Sequence, residues 1–234
     1  MIILQSVKKH FEQIKQGGII ILLTKMNRIL NIDYDMKQAL VEPGVVNIHL
    51  SEEIANRNFY YAPDPSSQQA CTLGGNISHN SGGPHCLKYG VTANHVLGLE
   101  IISTTGKILK FGGKNLDVPG YDLTGCFVGS EGTLGIATKI ILRILPKPEK
   151  NKVILAIFDK MQDASVTVSK IISEGIVPSA LEIMDKWVVK AVELSSHAAG
   201  LPQDADAILL IEVDGLEESL EYEADKIISI CKKN

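Results

Sequence analysis

Apolar residues recur through the first stretch of the chain at Ile3, Val7, Phe11 and Ile14, a helical spacing that closes at Gly17-Gly18 and predicts a short amphipathic helix over residues 2–16. Three short apolar runs follow, Ile19 to Leu23, Ile29 to Ile32 and Ala39 to Val41. Each is closed by Asn, Asp, Pro or Gly, so they read as strands joined by turns. From Ala62 to Gly90 this rhythm stops. The stretch is rich in Gly, Pro, Ser, Asn and His and lacks an apolar period, which marks a functional loop. Alternation resumes from His95 to Thr104, turns at Thr105-Gly106 and returns through Lys107 to Phe111 as a hairpin, and Gly135 to Leu145 predicts one more strand.

A proline- and charge-rich segment, Pro146 to Asn151, has the composition of a linker and places a domain boundary between residues 147 and 148. Beyond it the pattern predicts strands at Val153 to Phe158, Ala180 to Met184 and Ala207 to Val213. Helices are predicted at Ala164 to Glu174, Lys186 to His197 and Glu217 to Cys231. That βαβαβα order belongs to an α+β or α/β unit. It stops at Lys232-Lys233-Asn234 without a fourth strand, so the second domain is expected to be incomplete.

With 45% hydrophobic residues in 234, the chain can bury a sizeable core. A net charge of −4, with Lys and Arg scattered among Asp and Glu, leaves no basic face for a phosphate backbone, so no nucleic-acid partner is expected. Apolar runs such as Ile19 to Leu23 fall far short of the roughly 20 residues of a membrane helix, so no transmembrane segment is expected. The start has neither a basic n-region nor a cleavage site, and no signal peptide is read. Cys71, Cys86, Cys126 and Cys231 are too widely spaced for a zinc site or a disulfide framework and read as reduced cytosolic thiols.

The chemistry concentrates in two glycine clusters. The first holds Thr72-Leu73-Gly74-Gly75-Asn76, Asn80-Ser81-Gly82-Gly83 and Lys88-Tyr89-Gly90; the second is Gly129-Ser130-Glu131-Gly132-Thr133-Leu134-Gly135, running into the strand with Ile136. Paired glycines remove the Cβ atoms that keep backbone N–H groups from a ligand, so a diphosphate or an extended planar ring could sit there. Any one pair is equally well explained by a tight turn, and the second cluster taken alone by a glycine-rich strand entry with Glu131 solvated. Neither cluster matches a P-loop or the G-x-G-x-x-G turn, which disfavours a nicotinamide-binding dehydrogenase. His79, His85 and His95 lie in or beside the loop, where a lone histidine is more often a hydrogen-bonding or solvated residue than a base. Glu182 and Asp185 read more simply as a strand-end acid and a helix cap, and Trp187 as packing. No catalytic or metal-binding residue is assigned.

Tyr60-Tyr61-Ala62-Pro63-Asp64-Pro65-Ser66-Ser67, Cys71-Thr72-Leu73-Gly74-Gly75-Asn76, Gly83-Pro84-His85-Cys86-Leu87-Lys88-Tyr89-Gly90-Val91-Thr92 and Gly129-Ser130-Glu131-Gly132-Thr133-Leu134-Gly135 closely resemble glycolate oxidase catalytic subunits and related D-lactate dehydrogenases. The wider group is the FAD-linked oxidases of the vanillyl-alcohol oxidase and p-cresol methylhydroxylase (PCMH-type) fold. The resemblance runs from about Gly17 to near Lys226 and includes Met26 to Leu30, Glu42-Pro43-Gly44-Val45 and Pro119 to Leu123. It implies an α+β protein with a PCMH-type FAD-binding domain at 1–147 and a cap domain of the FAD-linked oxidases at 148–234. By position, Pro43, Gly44, Val45, Gly74, Gly75, Ser78, Asn80, Gly82, Gly83, Tyr89, Gly90, Glu131, Gly132 and Ile136 would line the FAD groove. The reaction implied is hydride transfer from a small 2-hydroxy acid to flavin, with an iron-sulfur or second FAD-binding subunit as partner, in the cytoplasm or peripheral to the inner membrane through partners.

Family members carry a glycine-rich loop of the form G-x-G-T-G-x-x-G-G where this chain has Gln5 to Gln16 without a glycine, and a histidine-rich cap motif with no counterpart here. The FAD-binding domain is therefore expected to lack its N-terminal subdomain and the cap to be partial. Two further readings stand beside the enzymatic one: a truncated or split-gene product without turnover, and a non-catalytic subunit that pairs with a partner chain.

Overall fold

Alternating burial along short strands builds the first sheet of the protein, for which a computed structural model describes residues 19–113 and 120–233. Strands β1 (Ile29–Asp33), β2 (Gln38–Val41), β4 (Val96–Ser103), β5 (Ile108–Gly112) and β6 (Gly135–Arg143) form an antiparallel sheet in the order β1-β2-β6-β4-β5. Ala39 and Val41, Leu99 and Ile101, and Ala137, Ile140 and Leu142 point from it into one core. Helices α1 (Asn47–Ile54) and α2 (Leu73–His79) close that core with Leu50 and Ile54, and Leu73 and Ile77, pairs four residues apart on one helical face. A two-stranded ribbon pairs β3 (Phe59–Tyr60) with β7 (Leu145–Pro146), and the short helix α4 (Leu123–Phe127) adds Phe127 to the core.

The second sheet is antiparallel in the order β8-β10-β9, from β8 (Lys150–Phe158), β9 (Ala180–Asp185) and β10 (Ala207–Gly215). One face carries Ala156, Phe158, Leu209, Ile211 and Val213 and is covered by α5 (Met161–Ser173), through Ala164 and Ile171, and by α7 (Glu217–Cys231), through Leu220, Ala224 and Ile227. On the other face Ile208 packs with Val189 of α6 (Lys186–Glu193), whereas Val153, Leu155 and Ile157 of β8 are exposed. By packing, the second unit takes Pro84–Tyr89, which contains the short helix α3 (Cys86–Tyr89), together with the chain from Pro148 on; the first holds the residues up to Gly83 and Gly90–Lys147.

The mixed α+β architecture agrees with the sequence reading, and three local expectations need correction or placement. Ile19 to Leu23 forms no strand: no described strand pairs with it, and Ile19 is 92% and Leu22 77% exposed. An all-apolar run marks a strand only when neighbouring strands take up its backbone groups and both faces are covered. The stretch Ala62 to Gly90 is not irregular throughout, because α2 and α3 lie within it. The helix expected over residues 2–16 lies outside the described residues.

Candidate functional site

Most of the candidate residues gather around α2. Its N-terminus is capped by Thr72, whose hydroxyl accepts from the Gly75 amide at 3.3 Å. The segment Pro43-Gly44-Val45 lies alongside: the Leu73 amide donates to the Val45 carbonyl and the Gly74 amide to the Pro43 carbonyl, each at 2.8 Å. At the other end Asn80 adopts the left-handed conformation that ends the helix, and its side-chain oxygen accepts from the Ala93 amide at 2.8 Å. The loop at 129–132 closes on the same end, with the Gly129 amide donating to the Ile77 carbonyl (2.8 Å) and the Glu131 amide to the Ser78 carbonyl (2.9 Å). One short helix thus collects Pro43, Gly44, Val45, Gly74, Gly75, Ser78, Asn80, Glu131 and Gly132 from three separate stretches of chain.

The remaining candidates sit apart from that helix or beside it. Gly82 follows directly on the Thr92–Ser81 contact, in which both the amide and hydroxyl of Thr92 donate to the Ser81 carbonyl. Gly83 approaches Asp64, and Gly90 approaches the Asn94 side chain. Ile136 is half-buried on β6 opposite Ile102 of β4. Tyr89 is directed elsewhere: its hydroxyl donates to Asp214 of β10 at 2.7 Å.

The glycines divide into two kinds according to what a Cβ would meet. At Gly44 it would lie 2.4 Å from the Leu23 carbonyl oxygen, at Gly74 2.6 Å from Cβ of Pro43, and at Gly83 2.3 Å from the Asp64 carbonyl oxygen. Backbone packing alone demands glycine at these three positions. At Gly75 the nearest atom, Oγ1 of Thr72, is at 3.5 Å, an ordinary contact, and beside Gly132 there is open space. Gly132 has a φ of +77°, which suits glycine by itself. Gly75 is helical, so glycine there costs roughly 0.5–1 kcal/mol relative to alanine with no internal packing to justify it. The surface beside Gly75 is where an extended ligand can come down onto the backbone.

Two polar atoms that sequence reasoning did not single out as ligands lie in these same motifs. Nδ2 of Asn76, in a residue 1% exposed, and Oγ of Ser130 are buried without a hydrogen-bond partner among the described residues. Such groups are costly to leave unpaired, and a flavin ring with carbonyl oxygens and ring nitrogens is of the right chemistry to pair them. The neutral donors and open glycine surface around α2 therefore fit FAD. The motif spacing quoted both residues, but only burial without a partner distinguishes them.

Charge anchors the segment beside α2. The Arg28 guanidinium binds both carboxylate oxygens of Glu42, at 2.7 and 3.2 Å, and the Arg28 amide adds a third bond at 2.9 Å. These hydrogen bonds hold the Glu42 carboxyl below the usual carboxylate range. The histidines do not converge. His79 is exposed with Nδ1 3.1 Å from the Gly75 carbonyl; His95 is buried edge-on to Tyr61, ring centroids 5.9 Å apart; His85 lies 3.5 Å from Glu212. Burial pushes the Tyr61 hydroxyl well above its ordinary value. Asp185 caps α6 by accepting from the Val188 amide at 2.7 Å, and Glu182 is exposed. Trp187 does not pack into a core; it is 75% exposed beside Lys190. Cys71, Cys86, Cys126 and Cys231 form no disulfide among the described residues, and among those residues no group of three His, Cys, Asp or Glu side chains could hold a metal ion.

Comparison with known proteins gives two family matches: residues 5–112 match the FAD binding domain, and residues 147–234 match the C-terminal domain of FAD linked oxidases. The chain is 46% identical to glycolate oxidase subunit GlcD of Bacillus subtilis, over 93% of this chain and 46% of that protein. It is 44% identical to the same subunit of Escherichia coli, over 93% of this chain and 44% of that protein. It is 34% identical to a D-lactate dehydrogenase of Anaerostipes hadrus, over 88% and 44%. The chain therefore spans about half the length of the curated relatives it matches. Among solved structures, an alkyldihydroxyacetonephosphate synthase superposes with a TM-score of 0.76 at 19% identity, covering 90% of this chain and 40% of that one, a likeness of fold.

Proposed function

The chain carries the FAD binding domain and the C-terminal domain of the FAD-linked oxidases, and from that premise we propose that it is the FAD-binding part of an oxidoreductase acting on a small 2-hydroxy acid such as glycolate or D-lactate. The observation that carries this reading is the surface around α2, where glycine is kept at Gly75 without a packing reason and Asn76 and Ser130 hold unpartnered polar atoms. Residues 1–147 are assigned to the cofactor and 148–234 to the cap domain. Flavin bound there would supply the acceptor for a hydride from the α-carbon of the 2-hydroxy acid, with the hydroxyl proton passing to solvent as the 2-oxo acid forms.

The protein's own contribution is binding and orientation. Gly75 and Gly132 let the backbone approach the cofactor, Asn76 and Ser130 offer neutral hydrogen-bonding groups to its ring, and Pro43 to Val45, fixed by the Arg28–Glu42 pair, form the adjoining wall. Ser78, Asn80, Gly82, Gly83, Gly90 and Ile136 complete the candidate lining. The glycolate oxidase relatives are named as subunits, which supports a partner subunit; an iron-sulfur or second FAD-binding chain is the kind proposed, and the exposed row Val153, Leu155 and Ile157 supplies apolar surface for one. Four cysteines outside any disulfide support a cytoplasmic setting. Among the described residues no helix is long and apolar enough to cross a membrane.

The test is anaerobic addition of glycolate or D-lactate to the FAD-loaded protein. Loss of the visible flavin absorbance is the expected result. An unchanged spectrum with every small 2-hydroxy acid would overturn the substrate assignment.

A further inference from the structure

Part of the candidate cofactor loop, Pro84–Tyr89, belongs to the second unit, while Gly83 and Gly90 on either side belong to the first. Within the second unit one aspartate binds two residues of this segment. Asp214, on β10 and 6% exposed, takes the Tyr89 hydroxyl on one carboxylate oxygen at 2.7 Å and the Lys88 ammonium on the other, and its backbone carbonyl also accepts from Lys88. The Lys88 ammonium lies 5.6 Å from the centroid of the Tyr89 ring, so the two donors support each other in one geometry. Two residues along β10, Glu212 faces His85 at 3.5 Å and is itself steadied by the Asn151 amide at 3.0 Å.

We infer that Asp214 is a positioning residue for the cofactor loop, setting the conformation of residues 85–89 within the second unit. The inference rests on the FAD-binding reading above and deepens it. It also accounts for the Tyr89 hydroxyl, which anchors the loop. A buried carboxylate with two donors, one of them cationic, is worth more than ordinary surface pairs, because losing either partner leaves a desolvated group behind.

The test compares the wild-type protein with Asp214→Asn and Tyr89→Phe in two measurements: amide hydrogen exchange without FAD, and FAD titration followed by visible absorbance. The Tyr89 amide, which donates to the His85 carbonyl at 3.0 Å, is the reporter in the first. Exchange through residues 85–89 should accelerate about tenfold in Asp214→Asn with β4 and β6 unchanged, and the FAD dissociation constant should rise by about the same factor, with Tyr89→Phe between. Unchanged exchange at residues 85–89, or wild-type FAD affinity in Asp214→Asn, would overturn the inference. So would protection lost evenly across β8, β9 and β10, since Asp214 would then serve the sheet alone. A wild-type protein that takes up no FAD would refute the parent reading instead, and the exchange comparison would still decide whether Asp214 holds the loop.

Discussion

Replacing Gly75 by alanine separates a ligand-binding role from a packing role, because the two make opposite predictions for stability and binding. In the protein without cofactor, a Cβ at Gly75 meets only Oγ1 of Thr72 at 3.5 Å, so the substitution introduces no clash. Alanine in a helix is favoured over glycine by roughly 0.5–1 kcal/mol, which for a protein of this size raises the melting temperature by about 1–4 °C. If the cofactor lies against that backbone, the same methyl group overpacks the complex by about 1–3 kcal/mol, weakening FAD binding about tenfold or more. Gly74 is the control: there a Cβ would stand 2.6 Å from Cβ of Pro43 and 2.9 Å from its carbonyl oxygen. Gly74→Ala should therefore destabilise the fold by about 1–3 kcal/mol whether or not ligand is present. Thermal unfolding and FAD titration on both variants give the answer. A Gly75→Ala protein that is more stable and still binds FAD like the wild type would refute the reasoning.

Other perturbations probe the same unit. Ser130→Ala removes a buried hydroxyl that has no partner, so thermal stability should hold or rise by up to about 1 kcal/mol while FAD affinity falls; a drop in stability without FAD would show that the hydroxyl already supports the fold. Ile77→Ala empties a site 1% exposed at the centre of α2 and should cost about 2–5 kcal/mol by denaturant unfolding. The Glu42 carboxyl is held below its ordinary value of 4.5 by Arg28, so its contribution to stability is present above that pH and is lost as the pH falls through the depressed value. Wild type and Glu42→Gln should therefore differ in melting temperature at pH 7 and converge in strong acid; a gap that persists unchanged to pH 2 would contradict the ion-pair account.

Strands with strict alternation were legible from residues alone. His95 to Phe111 gave a hairpin because inward Leu99 and Ile101 alternate with outward neighbours around a Gly106 turn, and the structure pairs Ile102 with Ile108 across it. Ile19 to Leu23 was misread because an apolar run carries no information on whether a neighbouring strand exists. Helix α2 was hidden since its two buried anchors, Leu73 and Ile77, are separated by Gly74 and Gly75, residues that ordinarily break a helix. Of the candidate motifs, Pro43 to Val45, Thr72 to Asn80 and Gly129 to Gly132 gather around α2, whereas Tyr89 does not. What spacing could not convey is which glycines the fold itself demands, that Asn76 and Ser130 are left unpaired, or that the Tyr89 hydroxyl reaches Asp214, since all three depend on contacts between distant parts of the chain.

The central claim, that the surface around α2 holds FAD, is tested most directly by titrating the purified wild-type protein with FAD and recording the visible absorption spectrum. The account predicts a saturable shift of the flavin bands at one FAD per chain that weakens in Gly75→Ala. A spectrum identical to the sum of free FAD and protein at every ratio would contradict it.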